Sequence, residues 1–249
     1  MSTTPRLFVD IVLARDVPVS LPDAAAHYLA NVMRLRDGDH VHLFDDRSGE
    51  WAARLADVGR KRVTAVPEHL LNAREQVPDL WLCAAPLKKT RGDWVAEKAC
   101  ELGVARFVPV VTRRTIVDNP KIDRLRALMI EAGRQWGRTA LPVLDEAIAL
   151  PRLLADWPSG RVLIFADEEG GEPLAALGDR VGAPAAILIG PEGGFDDAER
   201  ALLRAHPDAV RVSLGPRVLR ADTAAVAAVS LWQALAGDWA TGPKPGRAL

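Results

Sequence analysis

Cysteine, tyrosine and methionine are nearly missing from this 249-residue chain, with two, one and three copies, and its five histidines are scattered. Two thiols, Cys83 and Cys100, cannot staple a fold of this length, so both are expected as buried free thiols. No two histidines have the three-to-five-residue gap of a zinc site, which argues against a metal site, and none is assigned. No apolar run approaches the ~20 residues that span a bilayer. The opening Met1-Ser2-Thr3-Thr4-Pro5-Arg6 has no hydrophobic signal core, so the expected location is cytoplasmic, with no membrane partner. Two glycine signatures are also missing. No Gly-Lys-Ser/Thr follows the loop Gly190-Pro191-Glu192-Gly193-Gly194, and Gly-x-Gly-x-x-Gly is absent. Walker A phosphate binding and the dinucleotide fingerprint therefore lose their main support.

What is present is an ordinary globular composition, with 49% apolar and 26% charged residues. The formal net charge of −1 hides an asymmetry. Residues 1–72 hold 9 basic and 10 acidic side chains, residues 73–140 hold 13 and 8, and residues 141–249 hold 10 and 15. A basic centre inside a near-neutral protein suits either a polyanion footprint or a solvated helix face.

Residues 1–72 read mostly as short strands. His40-Val41-His42-Leu43-Phe44 alternates polar and apolar, Asp46-Arg47-Ser48-Gly49 turns, and 50–55 returns as a hairpin. Another strand is expected at 62–66, and one helix at 23–33. Several short strands with turn signals suggest a small barrel. The polar stretch 72–78, ending in Pro78, reads as a linker, so residues 73–249 form the second domain. There strands alternate with helices, the signature of a parallel sheet. Strands are expected at 79–87, 106–111 and 161–166. Helices are expected at 93–102, closed by Gly103, and at 122–136. The proline- and glycine-rich 241–249 is expected to fray.

The most informative stretch makes two similar passes. Ala185-Ala186-Ile187-Leu188-Ile189-Gly190 leads into Pro191-Glu192-Gly193-Gly194-Phe195 and a helix. Val210-Arg211-Val212-Ser213-Leu214-Gly215 leads into Pro216-Arg217-Val218-Leu219-Arg220 and a helix from Ala221. An apolar run that stops at glycine reads as a buried strand feeding a loop at its carboxyl end, where open α/β sheets hold ligands. Two such loops, one strand apart, make both walls of a small-molecule slot, because glycine lets main chain approach a flat ligand closely.

These two strings, followed by Ala221-Asp222-Thr223-Ala224, closely resemble the RsmE family, SPOUT-class methyltransferases acting on uridine N3 of small-subunit (16S) ribosomal RNA. The resemblance extends to Glu97-Lys98, Glu101-Leu102-Gly103-Val104, Glu131-Ala132, and, more weakly, His27-Tyr28 and Val32-Met33-Arg34-Leu35-Arg36. It implies an α/β fold, a SPOUT-type parallel sheet with a C-terminal trefoil knot at 73–249, and a small N-terminal PUA-like β-barrel at 1–72 for RNA. It also implies S-adenosyl-L-methionine as cofactor, a homodimer, and 16S rRNA or the small ribosomal subunit as partner. The family usually carries Arg-Thr-Glu-Thr where this chain has Arg220-Ala221-Asp222-Thr223, which removes a hydroxyl and shortens a carboxylate.

The cofactor candidates are Leu188, Ile189, Gly190, Glu192, Gly193, Gly194, Leu214, Gly215, Val218, Leu219, Thr223 and Ala224. A valine at Gly193 is expected to fill the slot. Arg220 is the catalytic candidate: a fixed cation stabilises the uracil anion, unless it is spent on a salt bridge to Asp222 or Glu192. Glu192 reads as a structural acceptor for the loop, and Asp222 as a helix N-cap. Candidates for RNA contact are Arg6, His27, Arg34 and Arg36, then Lys88, Lys89 and Arg91 in a loop after a strand, and Arg113, Arg114, Gln135 and Arg138. Trp136 is expected on a buried face.

Overall fold

The structure is a computed structural model that describes residues 4–59 and 62–242. The stretch 243–249, part of the tail expected to fray, and the opening 1–3 lie outside the described residues. The chain divides into two compact units, one of Met1–Gln76 with Gly133–Ala140, the other of Val77–Ala132 with Leu141–Leu249.

The first unit is a five-stranded sheet in the order β1 (Arg6–Phe8), β3 (His40–Asp45), β4 (Gly49–Ala56), β5 (Thr64–Ala73), β2 (Val19–Ser20). β1 runs parallel to β3, and the other pairs are antiparallel. Register shifts at Glu50/Trp51 and Ala52/Ala53 bend the long β4–β5 ribbon. One core collects Val41 and Leu43 from β3, Ala53 and Leu55 from β4, Ala65 from β5, and Ala26 and Leu29. Ala26 lies on α1 (Asp23–His27), which continues as a π-helical turn, Tyr28–Val32, within the helical stretch expected at 23–33. The expected linker at 72–78 begins too early, because β5 continues to Ala73, where Gly49 pairs with it. Gly49 is obligatory there: at φ +113°, a Cβ would meet the backbone of Ala73 at 2.8 Å.

Gly133–Ala140 belongs with this unit for a specific reason. The Glu75 carboxylate accepts the amides of Thr139 (2.9 Å) and Ala140 (3.1 Å), and Thr139 Oγ1 accepts the Glu75 amide (3.0 Å). Arg6 completes the tie. Its guanidinium donates to Glu50 (2.9 Å), the carbonyl of Gly133 (2.7 Å) and that of Arg138 (2.8 Å), and lies 3.7 Å from the centre of the Phe44 ring.

Asp45, wholly buried at the end of β3, accepts the amides of Leu13 (2.7 Å) and Arg47 (2.6 Å), and also binds Ser48. Burial acts to raise its pKa, but the hydrogen bonds from Ser48, Leu13 and Arg47 outweigh it and hold the carboxyl below the usual range. A depressed folded pKa contributes stability that is present above the unfolded value of about 3.9 and is lost as pH falls through the folded value. The melting-temperature gap between wild type and Asp45→Asn is therefore expected to be full near neutrality and to close below about pH 4. A gap that stays constant to pH 2 would refute this.

The second unit is a wholly parallel sheet in the order β11 (Glu172–Pro173), β13 (Ala209–Ser213), β10 (Val162–Ala166), β12 (Ala185–Ile189), β6 (Leu80–Ala84), β7 (Arg106–Val111), β8 (Val143–Leu144). β9 (Ile148–Ala149) also pairs with β7. All five residues of β12 are buried, as a central strand covered on both faces requires. On its flanks lie α2 (Lys89–Glu101), α3 (Ile122–Gln135), α4 (Leu150–Ala155), α5 (Asp197–Ala205) and α6 (Ala221–Leu235). α6 packs on α2 and β12, and its Gln233 donates to the Leu102 carbonyl (2.6 Å). Both cysteines are buried and outside any disulfide, and burial pushes the Cys83 thiol up to about 12, so it stays protonated. Among the described residues no helix is long and apolar enough to cross a membrane.

α2 starts four residues before the expected helix, at Lys89 instead of Asp93. Lys88 is its N-cap and Lys89 and Arg91 form its first turn, which corrects the loop expected there. Gly103, at φ +76°, follows its end as expected. Trp136 is 46% exposed and therefore not on a buried face.

Candidate active site

The carboxyl ends of three neighbouring strands coincide. Phe165 on β10 pairs with Leu188 on β12, and Ala166 pairs with Val212 on β13. The chain leaves all three at one level, and the loops that follow surround a cavity of about 690 Å³. After β12 it is lined by Ile189, Gly190, Glu192, Gly193 and Gly194. After β13 it is lined by Leu214, Gly215, Val218, Leu219 and Arg220, and the start of α6 adds Ala224. Leu188 and Thr223 stand apart: Leu188 is buried inside β12 among core side chains, and Thr223 is exposed on α6.

The loop after β12 is anchored from below. Phe195 is wholly buried, and its ring lies where a Cβ on Gly190 would meet it at 3.2 Å. Asp196 caps α5 by accepting the Glu199 amide (2.8 Å), while the Glu199 carboxylate accepts the amides of Asp196 (3.0 Å) and Arg113 (2.7 Å). Arg114 donates to the Gly193 carbonyl (2.7 Å). A Cβ on Gly193 would touch Arg114 at 3.4 Å, an ordinary contact, so Gly193 is not the tightest point. Gly194 is tighter: it holds φ +66°, and a Cβ there would collide with the Glu168 carboxylate. Gly194→Ala is expected to weaken S-adenosylmethionine binding at least tenfold, counting the ~1–2 kcal/mol cost of left-handed backbone, and Gly193→Ala by less than threefold. Calorimetric titration of both variants checks the order, and a reversed order refutes it.

A third wall, with no counterpart among the candidates drawn from the sequence, is the end of β10 and the loop after it: Ala166, Asp167 and Glu168. Asp167 is buried and meets Arg204 (3.0 Å), Arg211 (2.7 Å) and Arg200 (3.4 Å). Arg200 also pairs with Glu168 and with Glu169 (3.0 Å). Burial acts to raise the Asp167 pKa, but hydrogen bonds from the Glu169 amide, Arg204 and Arg211 hold it below the usual carboxylate range. The only sign of this wall in the sequence is a strand ending in Asp167-Glu168-Glu169-Gly170-Gly171.

Arg91, expected to contact RNA, instead reaches the cavity, 3.0 Å from Glu192 and 3.9 Å from Asp222. The two carboxylates considered as partners for Arg220 are thus engaged by Arg91. Arg220 is the N-cap residue of α6, exposed, and its side chain makes no ion pair or hydrogen bond among the described residues. Asp222 is not the N-cap; it lies in the first turn and accepts the Thr223 amide (3.0 Å).

Of the remaining RNA candidates, His27, Arg34 and Arg36 are exposed in the first unit, as is Gln135. Lys88, Lys89, Arg113 and Arg114 are exposed in the second. Arg6 and Arg138 require correction. Arg6 is committed to the tie described above, and Arg138 is mostly buried, 2.9 Å from the Glu75 carboxylate. Both guanidiniums hold the first unit together and are not presented as an RNA-facing surface. No group of three His, Cys, Asp or Glu side chains able to hold a metal occurs among the described residues.

The cavity suits S-adenosylmethionine on its own geometry. It is large enough, edged by glycine backbone and apolar side chains for a purine, and bordered by the carboxylates of Glu168 and Glu192 for a cationic group.

Known proteins share both halves of this chain. Residues 74–233 match the RNA methyltransferase domain, and residues 21–68 match the RNA methyltransferase PUA domain. The chain is 28% identical to the ribosomal RNA small subunit methyltransferase E of Rickettsia conorii, covering 90% of this chain and 93% of that protein. It is 30% identical to the protein of the same name from Synechocystis, covering 88% and 74%. Among solved structures, the ribosomal RNA small subunit methyltransferase E of Neisseria gonorrhoeae bound to S-adenosyl methionine superposes with a TM-score of 0.85 at 28% identity, covering 95% of this chain and all of that one.

Proposed function

The chain belongs to the ribosomal RNA small subunit methyltransferase E family, and from that premise we propose that it transfers the methyl group of S-adenosylmethionine to N3 of a uridine in small-subunit (16S) ribosomal RNA. The observation that carries the reading is the convergence of three strand-end loops on one cavity, with Arg220 at its edge without a partner among the described residues.

S-adenosylmethionine, when bound, supplies an electrophilic methyl group on a sulfonium. The residues assigned to hold it are Ile189, Gly190, Gly193 and Gly194 on one side and Leu214, Gly215, Val218, Leu219 and Ala224 on the other. Glu168 is added as the neighbour of the positive end. Transfer would form the N3–methyl bond as the sulfonium–methyl bond breaks, leaving the neutral thioether, with the N3 proton released to solvent water. Positioning of the two reactants supplies the largest part of such a rate, about 7–11 kcal/mol in well-oriented systems. Arg220 supplies a further part by neutralising charge that develops on the uracil oxygens. Arg91 hydrogen-bonds Glu192 and lies 3.9 Å from Asp222, and neither carboxylate is paired with Arg220.

Uridine N3 is hidden by base pairing, so the target must be unpaired or extruded. RNA contact is assigned to His27, Arg34 and Arg36 of the PUA-like unit, and to Lys88, Lys89 and Gln135. The same reading includes a trefoil-knotted C-terminal path, a cytoplasmic location and a homodimer. Val218, 89% exposed beside the cavity, and the exposed Trp94 on α2 are apolar side chains that a second copy would cover.

Nucleosides from ribosomal RNA of a deletion strain, read by mass spectrometry, test the reaction. Selective loss of 3-methyluridine is expected, restored by the wild-type gene. An unchanged level of 3-methyluridine, or no calorimetric binding of S-adenosylmethionine to the purified protein, would reject it.

A further inference from the structure

A second cavity, of about 390 Å³, lies beyond the first turn of α2, at the carboxyl ends of β6 and β7. That turn is a wall common to both cavities: Arg91 lines the first, while Lys89, Gly92 and Asp93 line the second. We propose that this second cavity takes an unpaired nucleobase of the RNA strand adjoining the methylated uridine, with Lys89 and Lys121 at its rim meeting the phosphates. The inference rests on the reaction assigned above and adds a place for a flanking nucleotide of the substrate.

Its lining has the chemistry of a base-stacking pocket. Leu87, Val95, Phe107 and Leu125, each under 10% exposed, give it an apolar interior that accepts the face of any base. Asn119, exposed at its edge, carries both a donor and acceptor and can pair with a base edge of either pattern. Lys89 and Lys121 are exposed, and neither closes an ion pair among the described residues. They belong to the 73–140 segment whose charge surplus is the largest in the chain, 13 basic against 8 acidic side chains. A polyanionic strand complements such a rim.

The wall itself is fixed. Arg124 grips Asp93 through two hydrogen bonds, 2.9 and 2.6 Å. Gly92 lets the turn press on Leu87, whose carbonyl would lie 3.1 Å from a Cβ at that position. An unpaired RNA strand whose target base enters the first cavity passes this turn, and its next base finds the second cavity without any change in the protein.

The test is fluorescence anisotropy of labelled oligouridylate binding to the full chain, with S-adenosylhomocysteine present. Val117→Trp fills the cavity from its wall. It is expected to weaken oligouridylate about tenfold, the order of one base stack removed, while S-adenosylmethionine affinity and melting temperature hold. Asn119→Ala, which cannot disturb the core, is expected to weaken it about threefold. Lys89→Ala with Lys121→Ala should lower the slope of log affinity against log salt by about 1.4, at ~0.7 for each phosphate no longer neutralised. Unchanged oligouridylate affinity in Val117→Trp and Asn119→Ala overturns the proposal. So does a change in sedimentation of Val117→Trp with unchanged RNA affinity, which would make the cavity an interface between copies. Wild-type protein that binds oligouridylate but neither binds S-adenosylmethionine nor methylates would instead sink the assigned reaction, and the comparison of variants would still decide this site.

Discussion

Arg220→Ala is expected to lower kcat by about 10²–10³ while S-adenosylmethionine affinity stays within about twofold. The reason is electrostatic. Removing the N3 proton of uracil leaves negative charge shared with the flanking oxygens, and a guanidinium already in place stabilises that charge without reorganising. Arg220 is available for this because its competitors are occupied: Glu192 lies 3.0 Å and Asp222 3.9 Å from Arg91. A side chain that only pinned the loop would sit in one of those pairs. Its loss would then lower cofactor affinity and turnover together. Arg220→Lys is expected to recover part of the rate, since charge is kept and the planar fork is lost. Single-turnover methylation with saturating donor, beside calorimetric titration, separates the two cases, and parallel losses in both would make Arg220 a binding residue.

How much of this is legible in the sequence depends on whether the signal is local. β12 is an unbroken apolar run followed by Gly190, and β13 is a strand of the same length that Arg211 interrupts and Leu214-Gly215 follows, so both strands and both loops can be read directly. That the two loops share one cavity needs only one strand between them, and β10 is that strand. The third wall is not legible. Asp167-Glu168-Glu169 reads as a solvated acidic turn, and only folding brings Arg200, Arg204 and Arg211 onto it from two other elements. Arg6 and Arg138 mislead for the same reason. An isolated arginine in a sequence looks solvated, and nothing local shows that Glu50, Glu75 and backbone carbonyls will enclose it. The linker at 72–78 is misplaced because Asn72 and Ala73 are polar or small yet exposed on a long ribbon, where strand pairing does not demand apolar residues. Lys88 and Lys89 read as a loop because no Ser, Thr, Asp or Asn announces the start of α2; its N-cap is Lys88, without a side-chain cap bond.

Asp167→Ala is expected to cost about 2–3 kcal/mol of stability, a fall in melting temperature of about 4–12 °C for a protein of this size. The size of the effect is set by the most buried of its three partners. Arg200 has 7% side-chain exposure, and losing the carboxylate leaves a buried cation with fewer counter-charges. Arg204 and Arg211 are 41% and 35% exposed, so water screens their share and they add little. The functional consequence follows from place. Asp167 and Glu168 form one wall of the cavity, and Arg200 binds both. Without Asp167 the guanidinium is free to follow Glu168, and the wall loses its fixed position. S-adenosylmethionine affinity is therefore expected to fall about tenfold, the ~1.4 kcal/mol that one displaced wall residue is worth. Arg204→Ala is the control: it removes an exposed partner of the same carboxylate and is expected to cost less than ~1 kcal/mol and to spare the cofactor. Thermal melts of both variants, with and without S-adenosylmethionine, read stability and binding in one experiment. Equal melting temperatures for Asp167→Ala and Arg204→Ala would mean that the cluster is a surface network and not the support of the third wall.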